Sequence, residues 1–392
     1  MKILMISYSR FFDSRVQRYA CSLAKRGNLV DSICLATKGK KENRLINGIQ
    51  PYPLLTREYN ERSLFSYLRK MFSFLILSTI TCTRLYFQKR YDIIHFHNIP
   101  DFGIFCTIIP KLMGSKIILD IHDILPEFYM RKFSVSENHV SIRFLKWIEK
   151  ISCHYADHVI TVTELWRQRL IERSVQPEKC TVILNAPDAE IFNNRFKKIP
   201  KKRNHSFTLS YHGNFTEPTG VDIIIKALAL VIQNIPDIQL LLIGKGREDL
   251  HLKKLTKTLY LEEHIHFKEP IPVDCIPELL SSVDAGIDPK RDGIYSGETL
   301  SVKAMEYLAM EIPLIISKTK ISQMYFDDSM VMFFKSDDEQ DLAERIIELF
   351  RSYPVRSKKL IQNSKHFLKN YSWEKYQNIY FILLNNLTNQ DK

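Results

Sequence analysis

The stretch GETLSVKAMEYLAM at 297–310 carries two glutamates, Glu298 and Glu306, with seven residues between them in a mostly apolar segment. If a helix begins near Ser301, its 3.6-residue period places Lys303 and Glu306 on one face. Glu298 then lies in the loop before the helix, so both carboxylates and the helix N-terminus can face one space. On spacing alone, an ordinary surface pair of Lys303 and Glu306 is favoured, which contributes only ~0.2–0.5 kcal/mol.

The size and composition of the chain indicate a two-domain globular protein. Its 392 residues exceed what one hydrophobic core usually fills. Hydrophobic residues make up 45% and charged residues 26%, which excludes a disordered or fibrous chain. The seven cysteines are scattered and never form a CxxC pair, which predicts free thiols in a reducing cytosol.

The apolar segments of the chain predict neither export nor a membrane-spanning helix. The N-terminus, MKILMISYSR, lacks the apolar core and cleavage site of a signal peptide and is predicted to be a first buried strand. The most apolar stretch, MFSFLILSTITCT at 71–83, has 13 residues, fewer than the ~20 that a spanning helix needs. We expect a cytoplasmic protein in which this stretch forms a core or interfacial helix.

The net charge of +12 predicts attraction to an anionic partner, which can be nucleic acid, phospholipid headgroups or a phosphorylated substrate. The densest basic cluster, RFKKIPKKRN at 195–204, has no interleaved aromatic residues for stacking on bases. It falls where a linker is expected, so we interpret it as a solvated linker, with attraction to a membrane surface as the alternative.

Short β-branched runs alternate with helix-length amphipathic segments, which predicts an α/β fold with parallel sheets covered by helices. The pattern restarts after the basic linker, so we expect two doubly wound Rossmann-like domains with a ligand cleft between them. The predicted domains are 1–195, 196–371 and a C-terminal helix at 372–392 that crosses back to the first domain. The predicted strands lie at 2–7, 92–97, 116–122, 158–163 and 180–185, then at 207–213, 238–244, 264–267, 284–288 and 312–317.

With these elements placed, the sequence resembles glycosyltransferase family 4 over nearly its whole length. The opening stretch is similar to the Glu-x7-Glu signature of that family, and EYLAMEIPLI follows it as in the family. Further matches are YHGNFTEPTGVDIIIKAL, LLIGKG, VDAGIDP, VILNAPD, DSRVQRYACSLAKRG, DIIHFH and LDIHDILPE. The resemblance implies the GT-B fold and transfer of a sugar from a nucleotide donor with retention of anomeric configuration.

The resemblance implies roles for the residues around the two glutamates. The free N–H groups at the helix N-terminus, around Thr299, Leu300 and Ser301, would bind the diphosphate of the donor. Glu306 would accept hydrogen bonds from the ribose hydroxyls, and Glu298 from hydroxyls of the donor sugar. The two glutamates would then bind polyols on either side of a helix end that holds phosphate.

His122 follows a predicted strand and resembles the family histidine that faces the donor sugar across the cleft. Without that match, a histidine at a strand end is more often structural. Asp120, His122 and Asp123 can also be interpreted as metal ligands, but neighbouring strand residues point to opposite faces. Because the chain lacks a DxD motif and any zinc pattern, we predict no obligatory metal and no cofactor besides the nucleotide-sugar donor.

Two loops depart from the family pattern. The family commonly has a double glycine near its N-terminus, whereas this chain has SRFFDSRV at 9–16, so Arg15 is a candidate contact of the donor phosphate. The loop GNFTEPTG at 213–220 lacks the arginine and lysine that commonly hold the diphosphate. Its Gly213 and Asn214, with Gly244, are predicted to contribute to donor binding.

A leaving diphosphate still requires cations near it. Lys303 is the best candidate to compensate for the missing pair, because it shares a face with Glu306 close to the helix N-terminus. Lys290 and Arg291, in the loop before Glu298, are the reserves.

These observations predict a retaining hexosyltransferase that uses a UDP- or GDP-sugar and a glycan or lipid-linked acceptor, in cell-surface polysaccharide biosynthesis. A nucleotide-sugar epimerase of the same architecture is an alternative, but it needs acid and base residues around the sugar that the sequence does not reveal. A basic protein that binds nucleic acid is the third possibility. The absence of a recognised nucleic-acid motif counts against it.

Segment 61–90 combines basic residues with an apolar set and is predicted either to pack on the first sheet or to rest at one end on the cytoplasmic leaflet. The second possibility would make the protein peripheral at the inner face of the membrane. The residues concerned are Arg62, Arg69, Lys70, Arg84, Lys89 and Arg90, with Phe65, Leu68, Phe72, Leu75 and Leu77.

Overall fold

The computed structural model describes residues 1–11, 13–36, 44–56, 64–193, 195 and 206–389, with only the backbone for 64–68. The chain forms two compact units. One comprises Met1–Asn185 together with Tyr376–Lys392, and the other comprises Ala186–Lys375. Most of the basic cluster at 195–204 lies outside the described residues.

The first unit is built on a parallel sheet of seven strands in the order β3-β2-β1-β4-β5-β6-β7. Its strands are β1 Lys2–Arg10, β2 Leu29–Ala36, β3 Ile49–Thr56, β4 Ile93–His97, β5 Lys116–Ile121, β6 His158–Thr161 and β7 Cys180–Val182. Its helices are α1 Ser14–Lys25, α2 Leu64–Lys89, α3 Ile108–Leu112, α4 Leu125–Phe133, α5 Val140–Tyr155 and α6 Glu164–Arg173. A 3-10 helix, Asp101–Thr107, leads into α3.

The strands β2 and β3 were not predicted, because neither has the continuous apolar run that is typical of a buried parallel strand. Asp31 and Ser32 are buried within β2, so its sequence is not a continuous apolar run. Asp31 is compensated there by Lys89, whose Nζ lies 2.6 Å from its carboxylate. Pro51 and Pro53 interrupt β3, which is tolerated because β3 is an edge strand.

The second unit contains a parallel sheet of six strands in the order β10-β9-β8-β11-β12-β13. The strands are β8 Thr208–His212, β9 Gln239–Ile243, β10 Ile265–Lys268, β11 Ala285–Asp288, β12 Leu314–Lys318 and β13 Met332–Lys335. The helices are α7 Val221–Val231, α8 Asp249–Thr258, α9 Ile276–Leu280, α10 Val302–Ala309, α11 Lys320–Tyr325, α12 Glu339–Ser352 and α13 Val355–Asn370. Only β13, a short edge strand, was not predicted.

The helix α14, Trp373–Asn389, begins in the range of the second unit and has most of its length in the first. The return to the first unit begins at Tyr376, within the segment expected to cross back. Residues 186–195, which the sequence assigned to the first domain, belong by their contacts to the second unit. No helix in the described part of the chain has the length and hydropathy to cross a membrane.

A buried ion pair joins α1 to β5 in the first unit. Arg15 donates from Nε to Oδ2 of Asp120 at 2.8 Å and from Nη2 to Oδ1 at 2.9 Å. Its remaining donors reach the carbonyl oxygen of Ile183 at 3.2 Å and the hydroxyl of Tyr19 at 3.1 Å. Burial alone would raise the pKa of Asp120, but Arg15 and the hydrogen bond from His97 outweigh it and hold the pKa well below its usual range.

The expectation that Arg15 contacts the donor phosphate is therefore wrong for this structure. Its side chain is buried, and Asp120, Ile183 and Tyr19 take its hydrogen bonds. The sequence could not reveal this, because Asp120 is 105 residues away along the chain.

Two stacked histidines extend this pair toward the C-terminal helix. Nδ1 of His97 donates to Oδ2 of Asp120 at 3.0 Å, and the rings of His95 and His97 stack at 4.1 Å. Nδ1 of His95 is hydrogen-bonded to the hydroxyl of Tyr380, in α14, at 2.8 Å. Burial lowers the pKa of both histidines, so they are neutral and act as hydrogen-bonding spacers.

We predict that Asp120→Ala lowers the free energy of unfolding of the first unit by ~3–5 kcal/mol, because it leaves the Arg15 charge buried without a partner. Hydrogen exchange in β4 and β5 under denaturant measures this unit separately. The control is Glu137→Ala in the same unit, which removes the pair of the exposed Glu137 with Lys146 and should change stability by no more than about 1 kcal/mol. Equal effects of the two substitutions would contradict a dominant role for the buried pair.

Candidate functional site

The carboxyl ends of the central strands of the second unit bring most of the predicted donor-binding residues together. Gly213 follows β8 and Gly244 follows β9, both with positive φ, at 135° and 153°. A Cβ at Gly244 would lie 1.9 Å from the carbonyl oxygen of Gly213, so the two loops approach more closely than any other residue allows. A Cβ at Gly213 would lie 3.2 Å from Cε of Lys303. Gly244 therefore lets the two loops approach each other, and Gly213 lets the loop after β8 lie against α10.

The helix α10 begins where the sequence predicted. Ser301 is its N-cap, and the Ser301 hydroxyl accepts from the N–H of Ala304 at 3.4 Å. A small pocket next to this helix end is lined on one side by Thr299, Leu300 and Ser301. Its other lining residues come from the ends of β11 and β12 and from α11: Asp288, Lys290, Ile316, Ser317, Thr319, Ile321 and Ser322.

Lys303 and Glu306 do not form the surface pair that their spacing allowed. Nζ of Lys303 lies 3.1 Å from Oδ1 of Asp288, the last residue of β11, and over the ring of Tyr211. Burial by itself would lower the pKa of Lys303. Asp288 and Tyr211 raise that pKa by more than burial lowers it, so the pKa of Lys303 lies above its usual range. Lys303 is therefore protonated and held close to the N-terminus of α10, with Asp288 as its counter-charge.

Glu306 is buried, and its Oε2 lies 2.7 Å from Nε2 of His212, the last residue of β8. The His212 ring meets Tyr307 edge to face at 4.8 Å. The contact with His212 fixes the Glu306 carboxylate at the same strand edge as Lys303 and Gly213. Such a fixed carboxylate can accept hydrogen bonds from vicinal hydroxyls.

Glu298 lies in a short 3-10 helix, Ser296–Glu298, before α10 and is also buried. Nζ of Lys320, at the start of α11, is 3.6 Å from its Oε1. The structure thus places Glu298 in the loop before the helix, as expected, and Glu306 within it.

The two reserve cations differ. Arg291 lies between three carboxylates, with Asp337 at 2.6 Å, Asp222 at 2.9 Å and Glu217 at 3.7 Å. It is therefore occupied and does not compensate for the missing diphosphate contacts. Nζ of Lys290 donates to the carbonyl oxygen of Thr299 at 2.7 Å, so this cation lies at the entry to α10.

Asn214 is exposed, and its structural role is through its backbone. Its carbonyl oxygen accepts from the hydroxyls of Tyr211 at 2.9 Å and Thr219 at 3.0 Å. These contacts shape the loop after β8. The predicted role of the Asn214 side chain in donor binding stays a prediction.

In the first unit, His122 directly follows β5 and is half-buried. Its N–H donates to Oδ1 of Asn98 at 3.1 Å. Nδ1 of His122 is buried and has no hydrogen-bond partner among the described residues. The backbone contact with Asn98 therefore fixes where His122 lies in the chain turn after β5.

A candidate metal cluster differs from the one that the sequence suggested. His95, His97 and Asp120 bring their ligand atoms within 4.8 Å of one another, whereas His122 and Asp123 are not part of the group. Arg15 already donates to both carboxylate oxygens of Asp120 and neutralises its charge. A divalent cation would be repelled by that guanidinium. We therefore keep the prediction that no metal is required.

Three residues of this arrangement had no assigned role in the sequence. His212, Asp288 and Asn98 each stand at the end of a strand, in YHGN, AGID and HFHN. A polar residue at the carboxyl end of a buried parallel strand is the signal that could have identified them. Their partners are distant along the chain, so the signal does not say what they contact.

Two doubly wound units, each built on a parallel sheet covered by helices, define the Rossmann-like class of α/β proteins. Two family models match consecutive parts of the chain: Glycosyltransferase Family 4 over residues 14–191 and Glycosyl transferases group 1 over residues 192–367. The chain belongs to the family 4 type of glycosyltransferases and is a transferase of the GT-B fold. The family and fold expected from the sequence are confirmed.

Individual relatives and structures agree with this assignment. The chain is 26% identical over 279 residues to the uncharacterized glycosyltransferase YqgM of Bacillus subtilis, covering 71% of this chain and 73% of that protein. It is 21% identical over 345 residues to the chitobiosyldiphosphodolichol beta-mannosyltransferase of Candida glabrata, covering 81% and 74%. The solved structure of Anabaena Alr3699/HepE with UDP and glucose matches with a TM-score of 0.74 at 16% identity, covering 98% of this chain and 100% of that one.

Asp101 is a buried carboxyl at the start of the 3-10 helix Asp101–Thr107, and its Oδ1 accepts from Nδ2 of Asn98 at 2.9 Å. Burial raises its pKa to about 7; the hydrogen bond from Asn98 and the charge of Arg173 oppose this rise, while Glu149 and Asp123 add to it. The folded state therefore retains a proton at pH values where the unfolded carboxyl has lost it. Between about pH 4 and 7, the contribution of this carboxyl to the free energy of unfolding therefore falls as the pH rises.

We predict that Asp101→Asn makes the slope of stability against pH more positive between pH 5 and pH 7, by up to about 1 kcal/mol per pH unit, because it removes a contribution that falls as the pH rises. Chemical denaturation at several pH values measures this slope. The exposed Asp237→Asn substitution is the control and should leave it unchanged. An Asp101→Asn slope equal to that of the parent protein would show that this carboxyl does not retain its proton.

Proposed function

We propose that this protein transfers a hexose-type sugar from a UDP- or GDP-sugar, with retention of anomeric configuration, to a hydroxyl of a glycan or lipid-linked acceptor in cell-surface polysaccharide biosynthesis. The observation that carries the proposal is the strand edge around α10, where Glu306, Lys303 and the helix N-terminus lie together. A nucleoside diphosphate presents the matching groups, a pair of ribose hydroxyls and two phosphates. No metal is required.

Each residue of this edge has a role in the proposed reaction. Glu306 binds the ribose hydroxyls, and its orientation is set by His212. The N–H groups around Leu300 and Ser301 bind the diphosphate, and Lys303 adds the positive charge that the 213–220 loop lacks. Glu298 binds hydroxyls of the donor sugar. Gly213 and Gly244 let the loops after β8 and β9 lie close together, and we assign the backbone of both residues to donor binding.

In the reaction, the bond between the anomeric carbon and the phosphate oxygen breaks, and the acceptor oxygen bonds to that carbon on the same face of the ring. The departing phosphate oxygen takes the proton of the acceptor hydroxyl. The helix end and Lys303 stabilise the negative charge that develops on the diphosphate. His122 acts on the donor sugar during transfer.

The identity of donor and acceptor is supported by two similar proteins. Alr3699/HepE has the same fold and was solved with UDP and glucose, which favours a uridine donor. The yeast relative is named for a dolichol-linked acceptor, which favours a lipid-linked glycan. Both remain proposals for this chain.

We predict that Glu306→Ala weakens donor binding by ~10- to 100-fold, because the ribose loses a charged acceptor worth ~1.5–3 kcal/mol. Thermal-shift titrations with UDP-, GDP- and ADP-sugars first identify the donor, since a ligand at 100 times its Kd adds ~2.7 kcal/mol. Glu306→Gln keeps the shape and the contact with His212, and the exposed Glu262→Ala is the control. Unchanged donor affinity in folded Glu306 variants would rule out the ribose role.

A lipid-linked acceptor requires the enzyme to reach a membrane surface, and the first unit exposes apolar residues beside basic ones. Along α2, Phe72, Ile76 and Ile80 are exposed at four-residue spacing. On α5, Phe144 and Trp147 are exposed and stack at 5.9 Å. Both helices pack against the 3-10 helix Asp101–Thr107. Exposed basic residues accompany them: Arg69, Arg84, Arg90, Lys132, Arg143 and Lys150.

The residues that we propose to face the membrane differ from those expected from the sequence. Lys89 is bonded to Asp31 and Tyr52 and is not free for a lipid headgroup. Leu75 and Leu77 are half-buried, which leaves Phe72 as the exposed member of the predicted apolar set in the described part of α2. Arg62 and the side chains of Phe65 and Leu68 lie outside the described residues. The exposed aromatic residues of α5 were not anticipated.

We predict that the protein co-sediments with vesicles containing anionic lipid at low salt, and that high salt releases it, because each basic residue contributes ~1 kcal/mol near such a surface. Phe144→Ser with Trp147→Ser should reduce the bound fraction severalfold. Leu250→Ser, which removes an exposed apolar residue of the second unit, is the matched control. A parent protein that stays in the supernatant would indicate a soluble acceptor.

A further inference from the structure

One buried amide holds the turn that carries His122. The strand β5 ends at Ile121, and the next two N–H groups, of His122 and Asp123, both donate to Oδ1 of Asn98, at 3.1 and 3.4 Å. Nδ2 of Asn98 donates to the carbonyl oxygen of Asp123 at 2.7 Å. The N–H of Asn98 itself donates to the carbonyl oxygen of Asp120 at 3.0 Å. A single side chain therefore binds the turn through both its acceptor and its donor.

A second residue selects the orientation of this amide. Nδ2 of Asn98 also donates to Oδ1 of Asp101 at 2.9 Å, and both side chains are buried. The turn presents two donors on one side, whereas Asp123 and Asp101 present acceptors on the other. Only one of the two amide orientations satisfies all four contacts. An aspartate would lack the donor, and alanine would lack both groups.

We propose that Asn98 is the positioning residue for His122, with Asp101 holding the amide in its working orientation. The imidazole of His122 has one ring nitrogen without a partner among the described residues, so its own hydrogen bonds do not fix the ring at that atom. The ring is aimed by the backbone, and Asn98 holds that backbone. The inference rests on the proposed role of His122 in sugar transfer and adds the group that places it.

The first experiment compares turnover with donor binding. Asn98→Ala should lower kcat by about 100-fold, the cost of a misplacement of about 1 Å, because His122 is no longer held. The donor Kd should change by less than about threefold, since the proposed donor contacts lie in the second unit. Hydrogen exchange at the amides of His122 and Asp123 should increase, which reports the release of the turn directly.

A matched control separates positioning from general loss of stability. Thr107 is buried in the neighbouring 3-10 helix, where its hydroxyl donates to the carbonyl oxygen of Ile104 at 2.7 Å and is bonded to Tyr155 at 3.0 Å. Thr107→Val removes these hydrogen bonds without touching the turn. It should lower Tm but leave kcat and exchange at His122 unchanged. If it lowers kcat as much as Asn98→Ala does, Asn98 is a structural residue only.

A pH profile tests the pairing with Asp101. In Asn98→Asp, two carboxyls face each other, and at acid pH they share a proton that replaces one of the donations of the amide. Above neutral pH the shared proton is lost, and the two carboxylates repel each other and displace the turn. The nearby Glu149 and Asp123 increase this repulsion, and Arg173 reduces it. Turnover of Asn98→Asp should therefore approach that of the parent near pH 6 and fall at least tenfold by pH 8.5 relative to it. Asn98→Ala should be low at both pH values.

Two outcomes distinguish failure of this inference from failure of the proposed function. If His122→Ala retains full turnover, the role of His122 is wrong and Asn98 has nothing to position. If His122→Ala loses turnover while Asn98→Ala keeps it, the proposed function stands and the inference is overturned. A pH profile of Asn98→Asp that parallels the parent would overturn the part assigned to Asp101.

Discussion

The ion pair between Arg15 and Asp120 is the constraint on which the first unit depends. A carboxylate buried at the end of β5 has a large desolvation cost, and it is stable there because a guanidinium donates to both of its oxygens. The same arginine reaches the chain just after β7 through the carbonyl oxygen of Ile183. One charge pair thus connects α1 with the ends of two strands. His122 lies two residues after Asp120 and begins the turn that is proposed to act on the donor sugar. The position of that turn therefore depends on the ion pair between Asp120 and Arg15, which is not among the proposed ligand contacts.

The second unit applies the same physics to groups that are proposed to meet the ligand. Glu306 is buried and Lys303 is half-buried, and each is held by a polar residue at the end of a strand, His212 and Asp288. Charged side chains fixed in this way do not need to reorganise when charge develops on a leaving group, which is where electrostatic stabilisation is most effective. Gly244 lets the two loops of this edge lie close together, because a side chain there would hold them apart, and Gly213 lets the loop after β8 lie against α10.

Much of the architecture could be predicted from periodicity and turn residues, as ten of the strands and the start of α10 at Ser301 illustrate. Two of the three strands that were missed, β2 and β3, have a local sequence pattern that disagrees with their final environment. Buried Asp31 makes β2 look amphipathic, and two prolines make β3 look like a loop. Of the site, the residues around α10 were found because they lie close together along the chain. Arg15 was misassigned because an arginine in the first turn of a helix is ordinarily solvated, and its partner lies 105 residues away.

The sequence by itself determined the class of this protein: two successive runs of alternating strands and helices, a paired-glutamate helix late in the second run, and a histidine at the end of a strand in the first. These features depend on neighbours along the chain, so they can be read from it. The tertiary structure alone decided what each charged group faces. It paired Lys303 with Asp288 and not with Glu306, removed Arg15 from the candidate site, and brought Asn98 to the turn of His122. The physical reason is that parallel strands place at one sheet edge residues separated by a whole helical crossover, and no local pattern specifies which of them meet.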